Sequence, residues 1–313
     1  MLSRRNVRIK AMQMLYSMSQ DKELGLEDVV RRYHANVQRS YDLYLFTLLS
    51  LTRVAEYAIQ DKAKKMSKLL PTESDKKFTA ILGENELMQS LVRHEDFQRL
   101  LRQRKMPARI ELDNIRLFYQ DFAKTEEYRT YSRKDSYTPE DHKEILLLLF
   151  KHLVNNEPFN DFLEDHFPNW VDDESLVVGA IKKTIKSLPV TAGAPFYEEH
   201  APNDETVQDF GERLLRSVIE DDEELLSIIE PTLRNWDADR VATVDMILLK
   251  MALSELLSFP SIPTKVTLNE FVEVSKLYST DKSKDFINGI LDRLMKQLDK
   301  EGKINKQGRG LKE

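Results

Sequence analysis

Proline placement is what most constrains this chain. All eleven prolines among its 313 residues fall between Pro71 and Pro263. A proline inside a helix loses a backbone hydrogen bond and clashes with the preceding turn, and it also restricts the residue before it. Pro71, Pro107, Pro139, Pro158, Pro168, Pro189, Pro195, Pro202, Pro231, Pro260 and Pro263 therefore mark helix boundaries. The segments between them, and the two proline-free ends, are mostly of helix length. Only nine glycines are present, too few for a hairpin-rich fold whose tight turns need positive φ. The expected fold is all-α.

Apolar spacing agrees. Ala11, Met14, Leu15 and Met18 share one face of a first helix over Arg4 to Ser19. Leu26, Val29, Val30, Tyr33 and Val37 make a second stripe, and Tyr41, Leu45, Leu48 and Leu49 continue it. Further stripes run from Asp75 to Leu188. The stretch Pro189 to Asp204, with three prolines and Gly193, cannot sustain a helix and divides the chain. Val207, Phe210, Leu214, Leu215 and Val218 then resume helical spacing. The tail from Lys300 has little apolar content and is expected to be flexible.

The stretch from Trp236 to Leu294 holds three helical patterns in close order. Val244, Leu248, Met251 and Glu255 form a face that is apolar until Glu255. Beyond Phe259 to Pro263, Thr267 precedes Glu270 at capping-box spacing, which predicts a helix start there. The last pattern presents Phe286, Ile287, Ile290, Leu291 and Leu294. Gly289 inside it costs about 1 kcal/mol relative to alanine. Two reasons fit such a residue: close helix packing, or close approach of a ligand.

Several function classes are excluded. With no cysteine, disulfides, thiolate nucleophiles and zinc-thiolate sites are impossible, which fits a reducing, cytoplasmic setting. The longest apolar run, Ile145 to Phe150, is far short of a membrane span. No histidine pair has metal-ligand spacing with a suitable glutamate, and no glycine-rich phosphate loop occurs. The acidic run Glu220 to Glu224 reads as a solvated turn or a helix N-terminus. No metal, cofactor or catalytic activity is expected.

The formal net charge of −6 confines any nucleic-acid contact to a local patch. Arg4, Arg5, Arg8 and Lys10 supply one, with no acidic residue before Asp21. Arg4 and Arg8 project from one helical face with Arg5 alongside. Such a face suits phosphates and exposed bases; it also suits a solvated helix end. A second basic run, Arg93, Arg99, Arg102, Arg104, Lys105 and Arg109, has Glu95 and Asp96 interspersed and favours a solvated face.

The sequence resembles the NusB transcription-antitermination family. The resemblance covers Arg4 to Met18 (RRNVRIKAMQMLYSM) and, more completely, Asp204 to Leu294. Its most specific matches are Leu248-Leu249-Lys250, Glu255-Leu256, Ile262-Pro263, Asn269-Glu270 and Phe286-Ile287-Asn288-Gly289-Ile290-Leu291-Asp292. It implies a non-enzymatic, all-α protein of two packed helical bundles, acting in the cytoplasm. Such a protein binds boxA-type single-stranded RNA together with NusE, a small-subunit ribosomal protein. The complex joins the transcription elongation complex and supports ribosomal RNA transcription. By position, the resemblance makes Arg4, Arg5, Arg8, Lys250, Phe286 and Asn288 RNA-binding residues. It puts Tyr16 and Asp245 at the NusE-facing surface. Lys250 stands where the family commonly has arginine, and Asn6 interrupts the basic cluster, which weakens the expected RNA contact.

Family members are typically less than half this length. The expected organisation is residues 1–40 as the N-terminal part of the NusB-like domain and 41–203 as a helical insertion. Residues 204–299 form its C-terminal part and 300–313 a flexible tail. Tyr41 to Ile59 fits either a family helix or the insertion. The rival reading is a protein-interaction scaffold with a NusB-like core and little RNA binding, and the chain could be a monomer or a homodimer.

Overall fold

The computed structural model describes residues 1–233 and 241–307. Trp236, where the C-terminal stretch begins, and residues 308–313 of the tail lie outside the described residues. Among the described residues every regular element is helical. The chain opens with α1 (Arg4–Gln20) and α2 (Leu26–Met66). Shorter helices follow: α3 (Glu73–Lys77), α4 (Ile81–Glu84), α5 (Glu86–Val92), α6 (Glu95–Gln103), α7 (Leu112–Phe122) and α8 (Glu126–Tyr131). Then come α9 (Pro139–Val154), α10 (Glu157–His166) and α11 (Trp170–Ser187). A short α12 (Asp204–Thr206) passes through a π-helical turn, Val207–Glu212, into α13 (Arg213–Glu220) and α14 (Asp222–Ile229). The last three are α15 (Thr243–Ser258), α16 (Thr264–Tyr278) and α17 (Ser283–Lys300). Pro139 and Pro158 lie in first turns, where a missing N–H costs nothing, and Pro263 is the N-cap of α16.

The chain divides into two compact units. One is Arg39–Ala201 with Met1; the other is Leu2–Gln38 with the chain from Pro202 onward. Helix α2 is continuous and supplies residues to both, with Tyr41 to Ile59 in the first.

The Arg39–Ala201 unit is built around α9, which packs on α4, α5, α7, α8, α10 and α11. Its core is rich in aromatics, with Phe46, Phe97, Phe118, Phe122, Phe159 and Trp170 all buried. The basic run of this unit is largely tied down. Arg99 pairs with Asp96 and Arg104 with Asp42. Arg109 donates to the His166 carbonyl at 2.8 Å and lies 4.5 Å from the Phe167 ring centroid.

In the other unit α15 is the central helix. Leu248, Leu249, Met251, Ala252, Leu253 and Leu256 span more than half of its circumference and are all buried, as expected of a helix enclosed by its neighbours. It packs against α1, α13, α14, α16 and α17. Helix α1 begins at Arg4 because Ser3 and Asn6 cap it reciprocally. The Ser3 hydroxyl accepts from the Asn6 N–H, and Asn6 Oδ1 accepts from the Ser3 N–H at 3.0 Å. Val7, Ala11, Met12 and Leu15 bury its inner face.

The capping-box expectation at Thr267 and Glu270 is corrected. Pro263 sets the start of α16 one turn earlier, so Thr267 lies inside the helix, buried, with its hydroxyl donating to Glu255. Beyond α17, Lys306 returns to the C-terminal end of α15. Its ammonium donates to the Glu255 and Phe259 carbonyls at 3.0 and 2.9 Å, placing a cation where the helix C-terminus favours one. Burial pushes the Lys306 pKa down, against the pull of Glu255.

Candidate nucleic-acid interface

The three arginines of α1 have three different environments. Arg4 is the freest: its side chain is 44% exposed, 3.6 Å from Glu205, with the guanidinium 5.5 Å from the Phe210 ring. Arg5 is 45% exposed and grips Glu270 with two bonds, Nε to Oε2 at 2.8 Å and Nη2 to Oε1 at 2.6 Å. That pairing raises the Arg5 pKa and holds the Glu270 carboxyl below its ordinary value. Arg8 is only 3% exposed. It makes a bidentate pair with the fully buried Glu255, at 2.7 and 2.8 Å, and reaches Glu270 at 3.5 Å. Its guanidinium lies 4.9 Å from the Phe210 ring centroid and 5.7 Å from that of Phe271.

The single exposed face expected of Arg4, Arg5 and Arg8 is thus revised: Arg8 turns inward. The reason is Glu255, a carboxylate on the otherwise apolar α15. A buried carboxylate requires a hydrogen-bonded cation, and Arg8 and the Thr267 hydroxyl provide its partners. The π-helical turn completes the arrangement by placing Phe210 beneath the arginines. Gly211 permits it, because a Cβ there would come within 1.9 Å of the Tyr33 hydroxyl and 3.0 Å of Val7. Tyr33 donates that hydroxyl to the Val207 carbonyl at 3.0 Å, inside the same turn.

Arg4, Arg5 and Arg8 line a shallow concavity of about 400 Å³ with Ile262, Pro263 and Glu270. Two exposed guanidinium groups at its rim can meet phosphate oxygens or stack on bases. Arg8 behind them sets where Glu270, and through it Arg5, is held.

The other residues singled out from the sequence lie elsewhere in this unit. Lys250 faces the C-terminal half of α1, where it lines a groove of about 480 Å³ with Leu15, Met18 and Met246. Its ammonium donates to Asp222 at 2.5 Å. Tyr16 is 42% exposed on α1. Asp245 is buried and accepts from Ser279 and Ser283 at 2.6 and 2.8 Å, so it ties the start of α15 to the α16–α17 connection. On α17, Phe286 is half-buried and Asn288 exposed. Gly289 has open space where a Cβ would stand, with Arg293 Nη2 3.9 Å away. Close helix packing is therefore not the reason for this glycine.

Glu255, Glu270, Thr267 and Phe210 were not recognised from the sequence as parts of this site. The signals for them are indirect: Glu255 closes an apolar stripe, and Glu255 and Glu270 fall within motifs of the family resemblance.

Comparison with known proteins adds the family. The model of the NusB family matches residues 179–296, starting within α11. A transcription antitermination protein NusB from Salinibacter ruber is 43% identical over 137 residues, covering 42% of this chain and 86% of that protein. One from Chloroherpeton thalassium is 38% identical over 104 residues, 33% of this chain and 49% of the relative. Another, from Natranaerobius thermophilus, is 50% identical over 72 residues, 23% of this chain and 52% of the relative. The solved structure of T. maritima NusB is 33% identical, covers 33% of this chain and 73% of its own, and superposes with a TM-score of 0.30. With most of the Salinibacter ruber protein matched at that identity, the chain belongs to the NusB family, and the remainder of it is an extra helical region.

Proposed function

We propose that the protein is a transcription antitermination factor that binds boxA-type single-stranded RNA with NusE and supports ribosomal RNA transcription. The observation that carries this is the pair of exposed guanidinium groups, Arg4 and Arg5, anchored over a buried Arg8–Glu255 pair in a chain of this family. Arg4 and Arg5 would touch the RNA; Arg8 would hold Glu270 and Arg5 in place. The open space at Gly289, beside exposed Asn288 and half-buried Phe286, supports close approach of the RNA to α17. Tyr16 would contribute to the NusE surface, and Lys250, in the groove with Leu15 and Met18, would add an RNA contact. Asp245 would act at one remove, by fixing the Ser279–Ser283 connection.

The test is fluorescence anisotropy of a labelled boxA-type RNA and a scrambled control, with and without NusE. The expected result is preference for boxA that strengthens with NusE. Arg4→Ala/Arg5→Ala should weaken binding and make the log–log salt slope shallower by about 1.4, two phosphates at roughly 0.7 each. Equal binding of both RNAs, indifferent to NusE and to the double substitution, would move the assignment to an interaction scaffold. Partners of a scaffold should survive nuclease in a pull-down.

A further inference from the structure

The Arg39–Ala201 unit carries a cleft of about 500 Å³ at which the C-terminal ends of three helices meet. Lys65 comes from the last turn of α2, Lys77 from the end of α3, Arg129 from α8, and Arg133 from just beyond α8. Half-buried Phe78 and buried Tyr128 also line it.

Charge in the cleft is unbalanced. Its two carboxylates already have partners: Asp61 accepts from Lys65 and from the Tyr119 hydroxyl, and Glu73 accepts from Lys76 at 2.7 Å. Lys77, Arg129 and Arg133 are exposed, and none of their side chains forms a hydrogen bond or ion pair among the described residues. A cation near a helix C-terminus has a reason of its own, the helix dipole. That reason covers each residue singly. It does not require the helix ends to converge on one cleft. In a chain of net charge −6, unneutralised cations gathered in one concavity run against the overall balance.

The aromatic component narrows the ligand. The Lys65 ammonium lies 4.2 Å from the Phe78 ring centroid, so an incompletely buried aromatic ring sits within the cation-lined wall. Cations that follow a phosphate backbone, beside an aromatic ring on which a base can stack, are how single-stranded nucleic acid is held without sequence preference. Phe78 also packs against the core of this unit, but part of its ring stays exposed in the cleft, a surface that a base can use and an acidic protein segment cannot.

We propose that this cleft is a second RNA-binding surface, in which Lys77, Arg129 and Arg133 take phosphates of single-stranded RNA and Phe78 stacks a base. The choice of RNA as the polyanion rests on the function proposed above; the site, its residues and its indifference to sequence do not.

The test uses the full chain and a labelled oligouridylate of about 12 nucleotides, which contains no boxA sequence. It is run in the wild type and in the Arg4→Ala/Arg5→Ala background, so that the two sites are read separately. Lys77→Glu/Arg129→Glu/Arg133→Glu should abolish most of the binding and make the salt slope shallower by about 2, three phosphates at roughly 0.7 each. The charge-preserving Lys77→Arg/Arg129→Lys/Arg133→Lys should retain it, and Phe78→Leu should weaken it about fivefold or more. All of the charged positions are exposed, so the fold survives these changes, which circular dichroism checks. Unchanged affinity and slope in the charge-reversed variant would overturn the proposal. So would binding of oligoglutamate as tight as that of oligouridylate with no effect of Phe78→Leu, which would assign the cleft to an acidic protein. Failure of the boxA reading appears elsewhere, as boxA affinity that ignores Arg4→Ala/Arg5→Ala.

Discussion

Arg8 shows how little a residue's type says about its job. It stands in the same basic cluster as Arg4 and Arg5, yet it is buried against Glu255, with Phe210 and Phe271 on either side. Removing one member of such a pair strands the other charge without a partner. Arg8→Ala should therefore cost about 3–5 kcal/mol of stability, measured by denaturant unfolding, while Arg4→Ala costs little. Arg8→Met/Glu255→Leu should recover most of that loss, since it removes both charges together. Glu270 gives a pH signature. Its hydrogen bonds from Arg5 lower its pKa from an ordinary value of 4.5. A carboxyl with a lowered folded pKa contributes stability above the unfolded value and loses it as pH falls through the folded one. Wild type should thus lose this contribution below about pH 4.5, and Glu270→Gln should show a flatter melting profile on the acid side.

At the scale of elements, two glycines, Gly211 and Gly289, have opposite reasons for being there. Gly211 admits Tyr33 and Val7 at distances that no side chain could share. Gly211→Ala should cost about 1–3 kcal/mol through overpacking, displacing the turn that carries Phe210. Gly289 meets nothing closer than 3.9 Å. Gly289→Ala should stabilise α17 by up to about 1 kcal/mol, and weaken RNA binding where the RNA approaches that helix. Thermal melts of the two variants, with opposite shifts, check both. Asn6 belongs at this scale too. By charge it is a gap in the basic cluster; in the structure it is the reciprocal cap of α1. The Ser3–Asn6 spacing was readable, but asparagine at the third helical position is a weaker signal than glutamate or glutamine.

For the whole molecule, two compact units with separate cores imply that unfolding is not one cooperative step. Calorimetry should give a van't Hoff enthalpy below the calorimetric one. Arg8→Ala should shift only the transition of the unit that holds α1 and α15. The sequence by itself determined the all-α class, the helix boundaries that prolines mark, the family, and the presence of basic residues at the start of α1. These depend on proline placement, on apolar spacing and on motif order, which are properties of the chain read locally. Only the tertiary structure decided which arginines face solvent, that the Thr267 hydroxyl meets Glu255, and that Lys77, Arg129 and Arg133 share a cleft. Those outcomes depend on partners far apart in the chain. A buried carboxylate on α15 draws in an arginine from α1, because an unpaired charge in an apolar interior costs more than the surface position it gives up.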